Sequence, residues 1–166
     1  MKKVVFTALM LIGLAFNSQA QDISKNALGL RLGSNDGFGG EISYQRKIDS
    51  DRRLEFDLGW RSNDFSDAIK LTGLHQWVWN IDKGFNWYAG IGGGIASYGG
   101  KDFKIGNTTY KGENDFAVFA AGDIGIEYNF DIPIQLSLDF RPEFYFSDGI
   151  NENYGSDIAL GIRYRF

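Results

Sequence analysis

The segment 157–166 alternates strictly between apolar side chains and polar or small ones, one residue at a time. Side chains of a β-strand point alternately to its two faces, so the segment has one face suited to hydrocarbon and one suited to water. The apolar face carries Ile158, Leu160, Ile162, Tyr164 and Phe166, and the other face carries Asp157, Ala159, Gly161, Arg163 and Arg165. This pattern predicts a strand between two environments of opposite polarity.

The same two-residue period recurs along the chain and predicts eight strands in one domain. They are expected at residues 27–33, 39–48, 53–62, 69–81, 85–98, 116–130, 134–146 and 157–166. Every second connection is short, as in an up-and-down barrel with tight turns at one end and loops at the other. We therefore predict an all-β fold, an eight-stranded antiparallel up-and-down transmembrane β-barrel.

In the strands with the clearest alternation, such as 53–62 and 134–146, charged residues occupy one of the two faces. A membrane barrel keeps such residues in its lumen, and an eight-stranded lumen is just wide enough to be filled by side chains. The predicted lumen charge network comprises Arg31, Glu41, Arg53, Glu55, Asp57, Arg61, Asp123, Glu127, Asp139, Arg141, Arg163 and Arg165. The fold-level alternative, a soluble secreted lipocalin-like barrel, predicts apolar side chains inside.

Residues 1–20 have the pattern of a cleaved secretory signal peptide. Lys2 and Lys3 precede an apolar run, and the small residues Ser18 and Ala20 precede the expected cleavage site. The predicted mature domain, 21–166, carries 15 basic and 21 acidic residues once those two lysines are removed, which argues against binding to nucleic acid. The chain has no cysteine, so export leads to no disulfide framework.

Aromatic residues are concentrated at the ends of the predicted strands, as an aromatic girdle at each membrane interface requires. The predicted girdle includes Trp60, Trp77, Trp79, Trp87, Tyr128, Phe130, Tyr164 and Phe166. At the loop end the full set is Phe38, Trp60, Phe65, Tyr98, Phe116, Phe144 and Phe146.

The last strand resembles the last strand of bacterial outer-membrane β-barrels. In those proteins the terminal Phe, here Phe166, belongs to the signal that the barrel-insertion machinery reads. Segments 73–79 and 86–95 resemble the middle of small Bacteroidetes-type outer-membrane barrels, and the size and strand number resemble the OmpA membrane domain and the OmpX/Ail group. The resemblance implies a monomeric, multi-pass barrel in the outer membrane of a Gram-negative cell, contacting outer-membrane lipids. It also leaves open an extracellular ligand at the outer loops.

The sequence offers few candidates for chemistry, and we predict no catalytic residue, cofactor or metal. The glycine run 90–94 lacks the following helix of a phosphate-binding loop, so Gly90, Gly92 and Gly94 are expected to make space inside the lumen. His75 is expected on the outer face without a nucleophile beside it, unlike the His-x-Ser pattern of barrel lipid A deacylases.

Three functions remain open from the sequence. The first is a structural or surface-interaction role, in which the loop 101–111, mixing cations with aromatic residues, binds a partner or extends the neighbouring strands as a solvated hairpin. The second is a narrow, porin-like channel for ions or small solutes through the charged lumen. The third is a membrane-embedded lipid-modifying enzyme that uses His75.

Overall fold

The computed structural model describes residues 23–35, 39–62, 66–100, 103–105, 108–110, 114–146 and 154–166. The predicted signal peptide, 1–20, lies outside these residues. Eight long strands close into an antiparallel barrel, and two short strands form a separate hairpin in one connection. The strands are β1 (Asn26–Asn35), β2 (Gly40–Lys47), β3 (Arg52–Ser62), β4 (Ser66–Asp82), β5 (Phe85–Gly100), β6 (Phe103–Ile105), β7 (Thr108–Tyr110), β8 (Asn114–Asn129), β9 (Ile134–Tyr145) and β10 (Tyr154–Arg165).

The barrel closes where β1 pairs with β10. Their antiparallel register runs from Ala27 opposite Arg165 to Asn35 opposite Asp157. Beyond it, the backbones of Asn26 and Phe166 exchange two hydrogen bonds of 2.9 Å. Closure gives every long strand a partner on both sides, so none of the eight barrel strands has an unpaired edge. The eight-stranded up-and-down barrel predicted from the sequence is therefore confirmed.

Both ends of the described chain lie at the same end of the barrel as the connections 48–51, 83–84 and 130–133. We call this the turn end, and the opposite end the loop end. Gly84 has a φ of 74°, which suits a two-residue hairpin turn because a residue without a Cβ adopts positive φ freely.

The strands extend further towards the loop end than the sequence predicts. Ladder pairing continues to Asn35 in β1 and begins at Ser66 in β4, so the connections 36–39 and 63–65 are as short as the turns. Backbone hydrogen bonds maintain this pairing without an apolar face, and hydrophobic periodicity therefore cannot detect it. The longer connections are 101–113 and 146–153, and the first contains the β6–β7 hairpin.

Glycines on the inner wall admit large side chains to the lumen. A Cβ on Gly125 would lie 2.5 Å from the Tyr88 ring and hydroxyl and 2.8 Å from the Leu138 carbonyl oxygen. A Cβ on Gly94 would lie 2.6 Å from Cζ of Phe119. The space predicted at the glycine run is therefore used at Gly94 by the aromatic ring of Phe119.

We predict that Gly125→Ala destabilises the barrel by about 1–3 kcal/mol, because the methyl group overpacks against Tyr88 and a backbone carbonyl. Gly99→Ala is the matched control, since its Cβ would meet Asn114 Oδ1 at an ordinary 3.5 Å. Urea unfolding of both variants in detergent micelles measures the difference. Equal stability of the two variants would show that Tyr88 does not depend on this glycine.

Candidate functional site: the charged lumen

The barrel is inverted relative to a soluble protein, with apolar side chains outside and charges inside. Leu30, Leu58, Ile124, Leu138 and Leu160 are each more than two-fifths exposed on the outer face. Arg31, Arg53, Arg141 and Arg163 are at most 1% exposed. A lipocalin-like soluble barrel would have the opposite arrangement, so the lumen is not an apolar ligand cavity.

Glu55, on β3, is the centre of the lumen network. Its carboxylate accepts hydrogen bonds from Arg163 at 3.0 Å, Arg141 at 3.3 Å, Gln45 at 2.6 Å and Gln76 at 3.0 Å. Arg141 and Arg163 reach it from β9 and β10, across the interior. One carboxylate on β3 therefore links its own strand to four others, β2, β4, β9 and β10.

Arg31 forms a second junction, nearer the loop end. Its guanidinium contacts Glu41 at 3.0 Å, Asp139 at 2.5 Å and Asp157 at 2.7 Å. Arg141 joins this junction to the first, because it contacts Glu41 at 3.3 Å as well as Glu55 at 3.3 Å. It also contacts Asp57 at 2.7 Å. The planar five-donor guanidinium suits such shared contacts, and a single ammonium group could not replace it.

Two further cations, Arg53 on β3 and Lys70 on β4, pair with carboxylates on β8 and β9. Arg53 bonds to Glu127 at 2.6 Å, and its guanidinium carbon lies 4.8 Å from the centre of the Tyr88 ring. Lys70 lies 2.7 Å from Glu143 and 3.5 Å from Glu41. Within the described part of the chain, eight carboxylates and five cations are thus buried, so carboxylates are in excess.

The pairs of the network extend across the lumen. A buried charge is costly unless it is paired, and these side chains pair across the barrel axis as well as along the wall. Cross-axis pairs such as Arg53 with Glu127 place side chains inside the barrel, between its walls.

Small apolar clusters lie at both ends of the network. Near the turn end, Ile23 packs with Val78 and Tyr88, so the segment before β1 folds beneath the barrel opening. Towards the loop end, Phe119 packs with Leu74 and three alanines of β5 and β8, and with the partly buried Tyr98 and Tyr145. The interior therefore combines paired charges with apolar contacts.

The structure brings together ten of the twelve residues predicted for the lumen network. Arg165 lies apart, at the turn end, where it donates to the Phe130 and Ile132 carbonyl oxygens at 2.6 and 3.2 Å. Its place in the alternation of β10 is that of the lumen-facing residues, but it is the last residue of the strand and reaches the neighbouring turn. Arg61 pairs with Ala68 through β3 and β4, and its side chain lies outside the described residues.

Sequence reasoning missed three members of the network, Lys70, Glu143 and Asp157. Each occupies a lumen-facing position in the two-residue alternation of its strand, which the sequence itself shows. They lie near the loop end, where the alternation of polar and apolar residues is weakest. In β9 Pro142 interrupts the alternation, and the sequence does not predict the strand pairing that extends to this end of the barrel.

The predicted aromatic girdle lies on the outer face, in pairs. Trp79 stacks on Trp87 at 4.2 Å between ring centres, Tyr128 meets Phe130 edge-on at 4.8 Å, and Tyr164 stacks near Phe166 at 6.2 Å. All six rings are near the turn end, together with Trp77, while Trp60 is 55% exposed near the loop end. Tyr98 departs from the prediction because it turns inwards, and Phe38 and Phe65 lie outside the described residues.

His75 is half-buried on the outer face, where its ring meets Trp77 edge-on at 4.6 Å. Its cross-strand neighbours are Leu54 and Ile91. Neither neighbour carries a nucleophile.

Across the described ranges, no group of three or more histidines or carboxylates is arranged to hold a metal ion. In the same residues, no helix is long and apolar enough to cross a membrane.

Several solved structures share this architecture. The N-terminal β-barrel domain of Pseudomonas aeruginosa OprF matches with a TM-score of 0.60 and 12% identity, over 87% of this chain and 100% of that domain. The barrel has the fold of small eight-stranded outer-membrane proteins. Neisserial surface protein A matches at 0.58 and 13%, over 85% and 94% of the two chains.

A third solved structure, Ail, the attachment invasion locus protein of Yersinia pestis, matches with a TM-score of 0.55 and 16% identity, over 86% and 97% of the two chains. No family model and no curated protein matches the sequence. At such identities the likeness concerns the fold, and the function must be argued from this chain's own residues.

We predict that Glu55→Gln destabilises the barrel by about 3 kcal/mol, since Arg141 and Arg163 then lose their shared buried charge. Asp131→Asn, at an exposed turn position, should change the free energy of unfolding by less than about 0.5 kcal/mol. Urea unfolding in micelles checks both values. A Glu55→Gln barrel as stable as the control would show that the network contributes shape without net pairing energy.

Proposed function

We propose that this protein is an integral outer-membrane β-barrel with a structural or surface-interaction role and a side-chain-filled lumen. The observation that carries the proposal is the inversion of polarity, because apolar residues cover the outside of the barrel while buried charges pair within it. A surface of this kind is stable only against hydrocarbon. The predicted signal peptide supplies the export that an outer-membrane location requires.

Two further features support a membrane-spanning barrel. The closed ladder leaves none of the eight barrel strands with an unpaired edge, which lipid could not satisfy with hydrogen bonds. Paired aromatic rings surround the turn end, at the level where amphipathic rings meet lipid headgroups. By analogy with other barrels, the turn end faces the periplasm and the loop end faces outwards.

Surface interaction is the finer part of the proposal. The connection 101–113, which contains the β6–β7 hairpin, is the longest at the loop end and is the place where an extracellular ligand would bind. Neisserial surface protein A and the attachment invasion locus protein share the fold, and their names describe a surface location and attachment. We propose a monomer that needs no cofactor and is inserted by the barrel-insertion machinery, with Phe166 in its signal.

Heat-modifiability tests the membrane barrel. The outer-membrane fraction is treated with SDS, and boiled and unboiled samples are compared on one gel. We expect the unboiled protein to migrate differently, because a closed barrel resists SDS until it is heated. A soluble periplasmic protein with a single mobility would overturn the proposal.

Planar-bilayer recording separates the filled barrel from a porin-like channel. We expect no stable large conductance from the refolded protein, because Arg53 and Arg141 pair with carboxylates across the lumen. A large steady current from the unaltered protein would favour the channel.

His75→Asn tests the remaining alternative, a lipid-modifying enzyme. Because no nucleophile lies beside His75, the substitution should leave the lipid A of producing cells unchanged when its mass spectrum is compared with that of cells making the unaltered protein. A change in lipid A that depends on His75 would establish an enzymatic role.

A further inference from the structure

We propose that Arg46, on the outer face at the turn end, binds the phosphodiester group of a membrane phospholipid. The inference rests on the proposed function, because it requires the outer face of the barrel to contact lipid. It assigns a lipid-headgroup site to one side chain and its hydrogen-bonded neighbours, Asn26 and Tyr44.

Arg46 lies on the outer face of β2, two residues from Tyr44 and opposite Asn26 and Leu54 on the flanking strands. Its side chain is exposed, unlike the lumen arginines. An arginine on an apolar face is held there at a cost unless its guanidinium reaches an anion or water. Its position near the end of the strand places the guanidinium at the level of the headgroups.

The side chain is held in place by its neighbours. Arg46 Nη1 donates to Asn26 Oδ1 at 3.0 Å, and the Tyr44 hydroxyl donates to the same oxygen at 2.9 Å. The backbone of Asn26 is fixed by its two hydrogen bonds with Phe166. One donor of the guanidinium is therefore used for orientation, and four remain for a ligand. A side chain that is already ordered loses less conformational entropy on binding.

Arg52 provides an internal comparison, because it also faces outwards at the turn end. It is paired with Asp49, and its Nε lies 3.7 Å from Asp51. Hydrogen bonds from the Ser50 N–H and from Arg52 hold the pKa of Asp49 below its usual range, so this carboxylate stays ionised. In the described part of the chain, Arg46 has no such carboxylate partner.

A phosphodiester fits the vacant donors. The guanidinium fork can bind two phosphate oxygens at once, with charge-assisted hydrogen bonds. On the membrane side of Arg46, Ile42 and Phe56 are 41% and 45% exposed and offer an apolar surface for acyl chains. The nearby Tyr164 and Phe166 mark the interfacial level. Together these groups match a phospholipid, with its phosphate at the interface and its chains along the barrel.

Native mass spectrometry of the full mature barrel in detergent micelles tests this site. Phosphatidylglycerol is titrated in, and diacylglycerol with the same acyl chains serves as the ligand without phosphate. The unaltered protein should retain one phosphatidylglycerol in preference to diacylglycerol. Arg46→Gln should weaken phosphatidylglycerol binding about tenfold, the value of one charge-assisted contact. Arg46→Lys should fall between the two, because it keeps the charge and loses the fork.

Arg52→Gln is the matched control, and its affinity for phosphatidylglycerol should change less than about twofold because Asp49 already occupies that guanidinium. Equal binding by Arg46→Gln and the unaltered protein, or an equal loss in Arg52→Gln, would overturn the headgroup site. Each variant is also checked for heat-modifiability after refolding into phosphatidylethanolamine–phosphatidylglycerol vesicles. Failure of the unaltered protein to insert there would overturn the membrane barrel as well, whereas normal insertion with unchanged lipid binding would overturn this inference alone.

Discussion

Closure of the sheet is the constraint on which the rest of the structure depends. β1 and β10 lie at opposite ends of the chain, yet their ladder and the Asn26–Phe166 hydrogen bonds complete the ring. Once the sheet is closed, alternation along each strand separates two environments, an interior only one or two side chains wide and an exterior that surrounds it. The distribution of charge, the aromatic pairs and the headgroup site all follow from which face a residue occupies.

The lumen shows how a protein can have a core made of charges. Glu55 accepts from two arginines and two glutamines, and Arg141 and Arg31 extend this junction across the barrel. Each carboxylate is stabilised only while its partners stay in place, because an isolated buried charge is very unfavourable. We expect the network to favour a single register of the strands, as interlocking apolar packing does in a soluble core. This is why a filled interior, and not a channel, agrees best with the contacts.

The arginines of this barrel have different roles because of their partners, although their side chains are identical. Those inside pair with buried carboxylates, and Arg31 and Arg141 each contact three of them. Arg165 caps the carbonyl groups of a turn, and Arg52 pairs with nearby acidic residues of its own turn. Arg46 has Asn26 and Tyr44 to orient it and no acidic partner among the described residues, so its charge is directed towards the surroundings of the barrel. The position of an arginine in the two-residue alternation decides which face of the strand it occupies. Its neighbours decide what its guanidinium binds.

The sequence by itself determined the number of strands, their antiparallel order and the face of most charged residues, because strict two-residue alternation is a local property that needs no knowledge of the fold. Only the tertiary structure decided which charges meet. Arg53 reaches Glu127 and Arg141 reaches Asp57 across more than 70 residues of chain, through the stagger of strands in a closed sheet. It also decided that Tyr98 and Phe119 turn inwards, where glycines and alanines leave space, and that Lys70, Glu143 and Asp157 join the network. These outcomes depend on distances across the lumen, which alternation along one strand does not encode.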